Sequence, residues 1–325
     1  MGYTQETDGK QIARDLSSEI KGKTVLVTGA SPSSLGTVFA KIVAEHSPAL
    51  LILAGRNAEK TQETARSIAE STEVKVKILD LKLDSFAQVR KAAEQVNNWE
   101  DVDHIDVVVN NAGIMAVPFE LTEDGVERQL ATNFLGHFLF TNLIMGKVLR
   151  SKSPRIVNVS SNGHRFSPVR FDYNFQNGKA YDDWRAYGQS KTGNMLFSIA
   201  LAEKLGSKGL VSASLHPGVI YTNLGAHLDW TGDDAAAMQA ADVIMGTQPS
   251  LQSGISDFKS PEQGAATHVY TAFSPDIARD NGSYFLDSRL ADPFEGEVYP
   301  WATDKAEAKR VWKFAEKLVG QEFKY

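Results

Sequence analysis

Lys23-Thr24-Val25-Leu26-Val27-Thr28-Gly29-Ala30-Ser31-Pro32-Ser33-Ser34-Leu35-Gly36 is the stretch whose reading decides the fold. Lys23 to Val27 is β-branched and apolar and ends at Thr-Gly, which reads as a short buried strand. Leu35 to His46 reads as a helix, with Phe39, Ile42 and Val43 on one face. A strand running through a glycine turn into a helix is the start of a βαβ unit. The helix N-terminus offers unpaired N–H groups and partial positive charge to a phosphate, and Gly29 and Gly36 let backbone approach it closely. Two glycines alone are equally compatible with an ordinary strand–helix turn.

The same alternation continues outward. Ala49 to Ala54, Val74 to Leu79, Ile105 to Val109, Arg155 to Val159 and Val211 to Leu215 read as further strands, and Ser283 to Leu286 as a seventh. Helices are predicted over Glu59 to Ser71, Ser85 to Asn97, Val126 to Leu149 and Ala186 to Leu205. Near-continuous apolar strands alternating with helices imply an α/β, doubly wound fold with a mainly parallel seven-stranded sheet covered on both faces. No linker or repeat divides the chain, so residues 1–325 are expected to form one domain. Residues 1–20 read as an N-terminal arm. Residues 223–260 break the alternation and read as a helical flap or mobile loop over the substrate, with Gly225, Gly232, Gly246 and Gly254 as hinges.

Composition narrows the function classes. The 325 residues contain no Cys, which excludes disulfides and thiolate chemistry. Net charge is −6 with no dense basic block, so no nucleic-acid partner is expected. No His/Asp/Glu cluster has metal spacing, so no metal is expected. The polar N-terminus lacks a signal-peptide core, and runs such as Ala49 to Gly55 and Phe134 to Ile144 are too short or too polar to span a bilayer. These features predict a cytoplasmic protein without a membrane anchor, as a monomer or homodimer.

The end of the second strand bears on the cofactor. Ala54-Gly55-Arg56-Asn57 carries no acid. A carboxylate there would suit a ribose 2′-hydroxyl, whereas an Arg suits a 2′-phosphate through charge-assisted bonds. Arg56 therefore predicts NADP(H) over NAD(H).

Four motifs follow at strand ends: Asn110-Asn111-Ala112-Gly113, Ile156-Val157-Asn158-Val159-Ser160-Ser161, Tyr187-Gly188-Gln189-Ser190-Lys191 and His216-Pro217-Gly218. In this order, with the glycine loop, they closely resemble the short-chain dehydrogenase/reductase family over about residues 21–320. Asn133-Phe134-Leu135-Gly136-His137-Phe138, Ser260 to Ala265, Asn281 to Phe285 and Ala308 to Trp312 resemble its branch of retinol dehydrogenases and WW-domain-containing oxidoreductases. The glycine loop departs from the family pattern by one extra residue, with Ser34 standing where the middle glycine falls. Ser33 or Ser34 is expected to offer a hydroxyl to a phosphate, which Pro32 cannot do with a backbone N–H.

The resemblance implies hydride transfer between nicotinamide and a carbonyl or alcohol. It implies Tyr187 as acid/base, Lys191 as its charged partner and ribose ligand, Ser161 in preference to Ser160 as hydrogen-bond partner of the substrate oxygen, and Asn133 in a proton relay. Lys191 lies one helical turn beyond Tyr187. A charge about 4 Å away is worth roughly 4 kcal/mol at an effective dielectric near 20, about three pKa units, so the phenol pKa is expected to fall.

Cofactor contacts implied by the resemblance are Gly29, Ser31, Ser33, Ser34, Leu35 and Gly36 in the loop, and Arg56, Asp80 and Leu81 around the adenosine. Asn111, Ala112 and Gly113 follow, then Tyr187 and Lys191, then Pro217, Gly218, Val219 and Thr222 beside the nicotinamide. His137, His164 and His216 read as packing or turn residues. Phe166, Phe171, Tyr173, Phe175, Tyr181 and Trp184, with Trp230, Met238, Ile244, Met245 and Leu251, suit either a bulky lipophilic or aromatic substrate or plain packing. A non-catalytic NADP(H)-binding sensor on the same fold, or an epimerase or dehydratase, is a competing reading. The Ser-Tyr-Lys set favours the enzyme, since a sensor has no need of it.

Overall fold

The TVLVT segment puts successive side chains on opposite faces, and the two faces bury into different cores. Leu26 joins Ile52, Leu79, Val108 and Ile156 on one side of the sheet. Val25 and Val27 join Leu51, Leu53, Val107, Val109, Val157 and Leu215 on the other. A strand buried on both faces has no room for a polar alternation, which is why its sequence reads as continuously apolar.

The structure is a computed structural model and describes residues 2–249 and 258–325. Its sheet has the order β3-β2-β1-β4-β5-β6-β7-β8. The strands are β1 (Thr24–Thr28), β2 (Leu50–Gly55), β3 (Val76–Asp80), β4 (Val107–Asn110), β5 (Arg155–Val159), β6 (Val211–His216), β7 (Tyr284–Leu286) and β8 (Arg289–Leu290). The first seven are parallel neighbours. β8 folds back antiparallel on β7 and extends the expected seven-stranded sheet by one short strand.

The first core is covered by the Phe86–Asn97 helix through Val89, Ala92, Ala93 and Val96, and by the Asp183–Leu205 helix through Leu196, Phe197 and Leu201. The C-terminal helix Lys305–Val319 closes it through Val311, Trp312 and Ala315. The second core is covered by Leu35–Ala44, Ala58–Ala69 and Pro261–Phe273. The expected N-terminal arm forms the helix Gly9–Asp15, capped by Asp8, with Ile12 and Ala13 in the same core.

Two helical expectations change in detail. The predicted helix over 126–149 is interrupted. It comprises Arg128–Leu130, a π-helical segment Ala131–Leu135, then Gly136–Leu143 and Met145–Val148. Within the 223–260 insertion, Asn223–Gly225 is a 3-10 turn and Asp233–Met245 an α-helix ended by left-handed Gly246. Leu251 and Gly254 lie outside the described residues.

Parallel strands align their carboxyl ends along one edge. Strand order reverses at β1, which is flanked by β2 and β4. Ligands in doubly wound sheets bind outside the strand ends at such a switch point. The loops after β1 to β6 all leave the sheet at this edge.

Candidate active site

The β1 loop is held by its own polar side chains. Ser34 caps the Leu35–Ala44 helix by accepting from the Thr37 N–H at 3.2 Å, and its hydroxyl donates to the Gly29 carbonyl at 2.7 Å. This corrects the expectation for Ser34: its hydroxyl is already committed inside the loop. The left-handed conformation falls on Ser33 (φ 64°), whose side chain is exposed. Thr37, which the sequence reading passed over, donates to the Ser31 carbonyl at 2.6 Å. Leu35 and Gly36 open the helix, so their N–H groups have no intrahelical acceptor.

The loop forms a tight cradle against the end of β4. A Cβ on Gly29 (φ 73°) would meet Ala112 Cα at 2.8 Å, and one on Gly36 would meet Asn111 Nδ2 at 2.7 Å. Asn111 Nδ2 donates to the Thr28 carbonyl at 2.8 Å, so the two loops are stitched together. Arg56 is exposed just beyond β2, and Asp80 is exposed at the end of β3; neither side chain has a hydrogen bond or ion pair among the described residues. Leu81 is buried and donates its N–H to the Gly55 carbonyl at 3.0 Å. A cradle with no room for a Cβ at Gly29 or Gly36 and an open helix N-terminus fit a nicotinamide dinucleotide.

The reacting groups lie one loop further along the edge. Tyr187 and Lys191 share a face of the Asp183–Leu205 helix, which Asp182 caps, and both are 3% exposed. Ser161 lies two residues beyond β5 in extended conformation, and its hydroxyl accepts from the Gly163 N–H at 2.9 Å and faces the Tyr187 phenol. Gly163 is required by this packing, since a Cβ there would lie 2.7 Å from the Tyr187 ring. Ser160 is excluded from the same role because its hydroxyl donates to the Lys191 carbonyl at 2.8 Å. Lys191 Nζ donates to the Val159 carbonyl at 3.1 Å and sits 5.4 Å from the Tyr187 ring centroid.

The electrostatics differ from the sequence expectation. Burial pushes the Tyr187 phenol up to about 12, against a smaller lowering by the Ser161 hydroxyl. Burial pushes Lys191 down to about 8. The shift is therefore upward and not downward as expected, because desolvation of the enclosed phenol is its largest cause.

Asn133 lies in the π-helical segment and is fully buried. Its Oδ1 accepts from the Ile114 N–H at 2.8 Å, and its Nδ2 donates to the Ile114 carbonyl and the Ser190 hydroxyl, each at 2.9 Å. Gly113 sits beside it, where a Cβ would be 3.2 Å from Asn133 Oδ1 and 3.5 Å from Lys191 Nζ. After β6, Gly218 is left-handed (φ 95°) and is backed by the Lys259 side chain. Pro217 is half-buried, Val219 is 49% exposed, and Thr222 caps the following turn by accepting from the Leu224 N–H at 3.3 Å.

An apolar cluster adjoins the phenol. Ala116, Phe166, Trp184, Leu228, Met238 and Ala241 bury with Tyr187, and Met115 and Trp230 pack on them. The Trp184 ring is 6.4 Å from Tyr187 and 6.1 Å from Trp230, and its indole N–H donates to the Asp234 carbonyl at 3.1 Å. The 233–245 helix thus rests directly over the Tyr187 side. The other aromatics are elsewhere. Phe171 and Tyr173 pack on Phe314, Phe175 on Tyr181, and Ile244 points outward.

Comparison with known proteins decides the family. The short chain dehydrogenase model matches residues 23–231. The chain belongs to the short-chain dehydrogenase family. It is 37% identical over 303 residues to mouse (Mus musculus) retinol dehydrogenase 13, covering 93% of this chain and 85% of that protein. It is 34% identical over 329 residues to the chloroplastic short-chain dehydrogenase TIC 32 A of Brassica napus, covering 98% and 94%. Among solved structures, an uncharacterized protein from Mycobacterium Paratuberculosis superposes with a TM-score of 0.70 at 27% identity, covering 100% of both chains. This short-chain dehydrogenase therefore lies near the retinol dehydrogenase branch. No helix among its described residues is long and apolar enough to cross a membrane.

Proposed function

We propose that this chain is an NADP(H)-dependent oxidoreductase that interconverts a carbonyl and an alcohol on a bulky lipophilic or aromatic substrate. The observation that carries the reading is the meeting of Ser161, Tyr187 and Lys191 beneath an apolar cluster containing Trp184 and Trp230. The whole chain acts as one dinucleotide-binding domain in this reading, with the Asp233–Met245 helix of the 223–260 insertion covering the substrate. Gly29, Ser31, Ser33, Leu35 and Gly36 would hold the pyrophosphate, and Arg56 the 2′-phosphate. Asp80, Leu81, Asn111, Ala112 and Gly113 would flank the adenosine, and Pro217, Gly218, Val219 and Thr222 the nicotinamide end. The bound dinucleotide supplies or accepts the hydride.

The chain's own residues handle the oxygen. Charge develops on the carbonyl oxygen as it is reduced, and a donor aimed at that charge lowers the barrier. Tyr187, protonated throughout the physiological range, is the proton donor, and the Ser161 hydroxyl donates a second hydrogen bond to the same oxygen. Lys191 keeps a positive charge beside the phenolate that forms. The apolar cluster excludes water and strengthens these bonds. The test is an NADPH absorbance assay over a panel of aldehydes and ketones of increasing bulk. Absence of turnover with every member, with cofactor still bound, would favour the non-catalytic binding protein.

Two expected results follow from the same geometry. Burial lowers the Lys191 pKa, so its ammonium is present below about pH 8 and is lost as pH rises through that value. The rate of carbonyl reduction should fall on a basic limb near there, and Lys191→Met should lower the rate and abolish the limb. A wild-type profile flat to pH 10 removes Lys191 from the mechanism. Trp230→Ala should raise KM for the bulkiest substrates by about tenfold, the effect of a lost apolar contact of 1–3 kcal/mol, and leave small aldehydes unaffected. Equal KM changes for large and small substrates would move the specificity pocket elsewhere.

A further inference from the structure

His137 is 1% exposed and bridges the end of β1 to the π-helical segment. Its Nε2 is 2.9 Å from Thr28 Oγ1 at the end of β1, and its Nδ1 is 3.0 Å from the Asn133 carbonyl in the π-helical segment. The hydrogen positions follow from counting donors. Thr28 Oγ1 already accepts the Asn111 and Ala112 N–H groups, each at 2.9 Å. With both lone pairs taken, the hydroxyl proton must go to its third neighbour, so Nε2 of His137 is the acceptor. The ring is held neutral, its pKa pushed down to about 4 by burial and, to a lesser extent, by the Lys191 charge. Its single proton is therefore on Nδ1 and donates to the Asn133 carbonyl.

The chain of bonds continues in both directions. Thr28 fixes the Asn111–Ala112 turn and, through its carbonyl, the Asn111 side chain. Asn133 fixes Ile114 on one side and the Ser190 hydroxyl on the other, and Ser190 donates to the Tyr187 carbonyl at 2.7 Å. The imidazole thus adds a second bridge, beside the Asn133–Ile114 bonds, between the loop that lies against the dinucleotide cradle and the helix turn that carries the phenol.

We infer that His137 is a positioning residue whose Nδ1–H tautomer sets the register between the cofactor loops and the Tyr187 turn. Both of its ring nitrogens bond to the protein itself. Its two nitrogens have separable duties: Nε2 anchors Thr28 on the cofactor side, and Nδ1 anchors Asn133 on the side of the reacting groups. Sequence reading assigned this residue to packing, because spacing alone carries no sign of what a buried ring binds. The inference rests on the proposed roles of the β1 loop and Tyr187.

Three variants separate the duties. His137→Gln carries an amide to the Nε2 position and keeps a partner for Thr28. His137→Asn keeps a donor at the Nδ1 position for the Asn133 carbonyl. His137→Phe keeps the ring and loses both. NADPH Kd is measured by calorimetry, kcat by reduction of the best aldehyde of the panel, and the folded state by thermal melting. His137→Gln should lower kcat by about tenfold with Kd nearly unchanged, and His137→Asn should raise Kd by about tenfold with a smaller effect on kcat, as for a lost buried hydrogen bond. His137→Phe should combine both losses. Wild-type protein that binds no NADPH overturns the cofactor reading itself. Wild-type protein that binds and turns over, with Kd and kcat unchanged in all three variants or with losses that only follow the folded fraction, overturns the positioning role.

Discussion

Tyr187→Phe is expected to lower kcat for carbonyl reduction by a factor of about 10² or more, the usual contribution of a positioned general acid. NADPH affinity and melting temperature should stay close to wild type. The change removes one oxygen and keeps the ring, and the ring is what packs with Phe166, Trp184 and Met238. Ser161 retains its bond from the Gly163 N–H when the phenol is gone, so no buried hydroxyl is orphaned. The loss is therefore confined to the proton. Because burial holds the phenol near 12, the wild-type residue is a donor across the assay range, and the variant has no substitute within the apolar cluster. Calorimetry with NADPH and steady-state rates on the same preparations check the result. A variant with near-wild-type kcat would remove Tyr187 from the reaction and leave Ser161 or a water as the acid.

The fold was legible because each strand of the sheet is buried on both sides. Continuous apolar runs such as Val25-Leu26-Val27 and Val107-Val108-Val109 have one reading when glycine turns and helix-period segments bracket them. What stayed illegible was governed by tertiary partners. The predicted helix over 126–149 carries an apolar run from Phe134 to Ile144, yet it passes through a π-helical segment at Ala131–Leu135. Asn133 and His137 bond there to Ile114, Ser190 and Thr28, partners distant in the chain that no local periodicity encodes. The two-residue β8 is likewise too short to carry a pattern.

The candidate site divides in the same way. Tyr187, Lys191 and the Ser160-Ser161 pair carry little signal by spacing alone and were picked out through the family resemblance of all the motifs together. Which serine faces the phenol is fixed by the Lys191 carbonyl that occupies Ser160. The sign of the phenol shift was misread because spacing reports a neighbouring charge but not the desolvation around it. The extra residue in the β1 loop was visible, but its conformation was not: Ser33 is left-handed, as Gly29 is, and Ser34 caps the following helix. Aromatic content was also a poor guide to position, since Phe171 and Tyr173 pack on Phe314, away from the phenol.

Arg56→Ala is expected to weaken NADP+ binding by several-fold to about a hundredfold and to leave NAD+ binding nearly unchanged, since a charged hydrogen bond is worth about 1.5–3 kcal/mol. The argument begins with what surrounds the guanidinium. It is exposed at the carboxyl end of β2, and no carboxylate among the described residues pairs with it. Its neighbour Asn57 is occupied in capping the Ala58–Ala69 helix, accepting from the Lys60 N–H at 3.0 Å. The Arg is thus free to offer two parallel N–H groups to a phosphate, and nothing inside the fold depends on it, so the variant should melt like wild type. An exposed contact of this kind is screened by salt, so the NADP+ preference should shrink as ionic strength rises. Arg56→Asp should go further and favour NAD+, because a carboxylate there accepts from a ribose 2′-hydroxyl and repels a 2′-phosphate. Calorimetric titration of both cofactors into wild type and the two variants, at low and high salt, checks all of these. Equal wild-type affinity for NAD+ and NADP+ would show that Arg56 is an ordinary solvated side chain, and the cofactor assignment would fall with it.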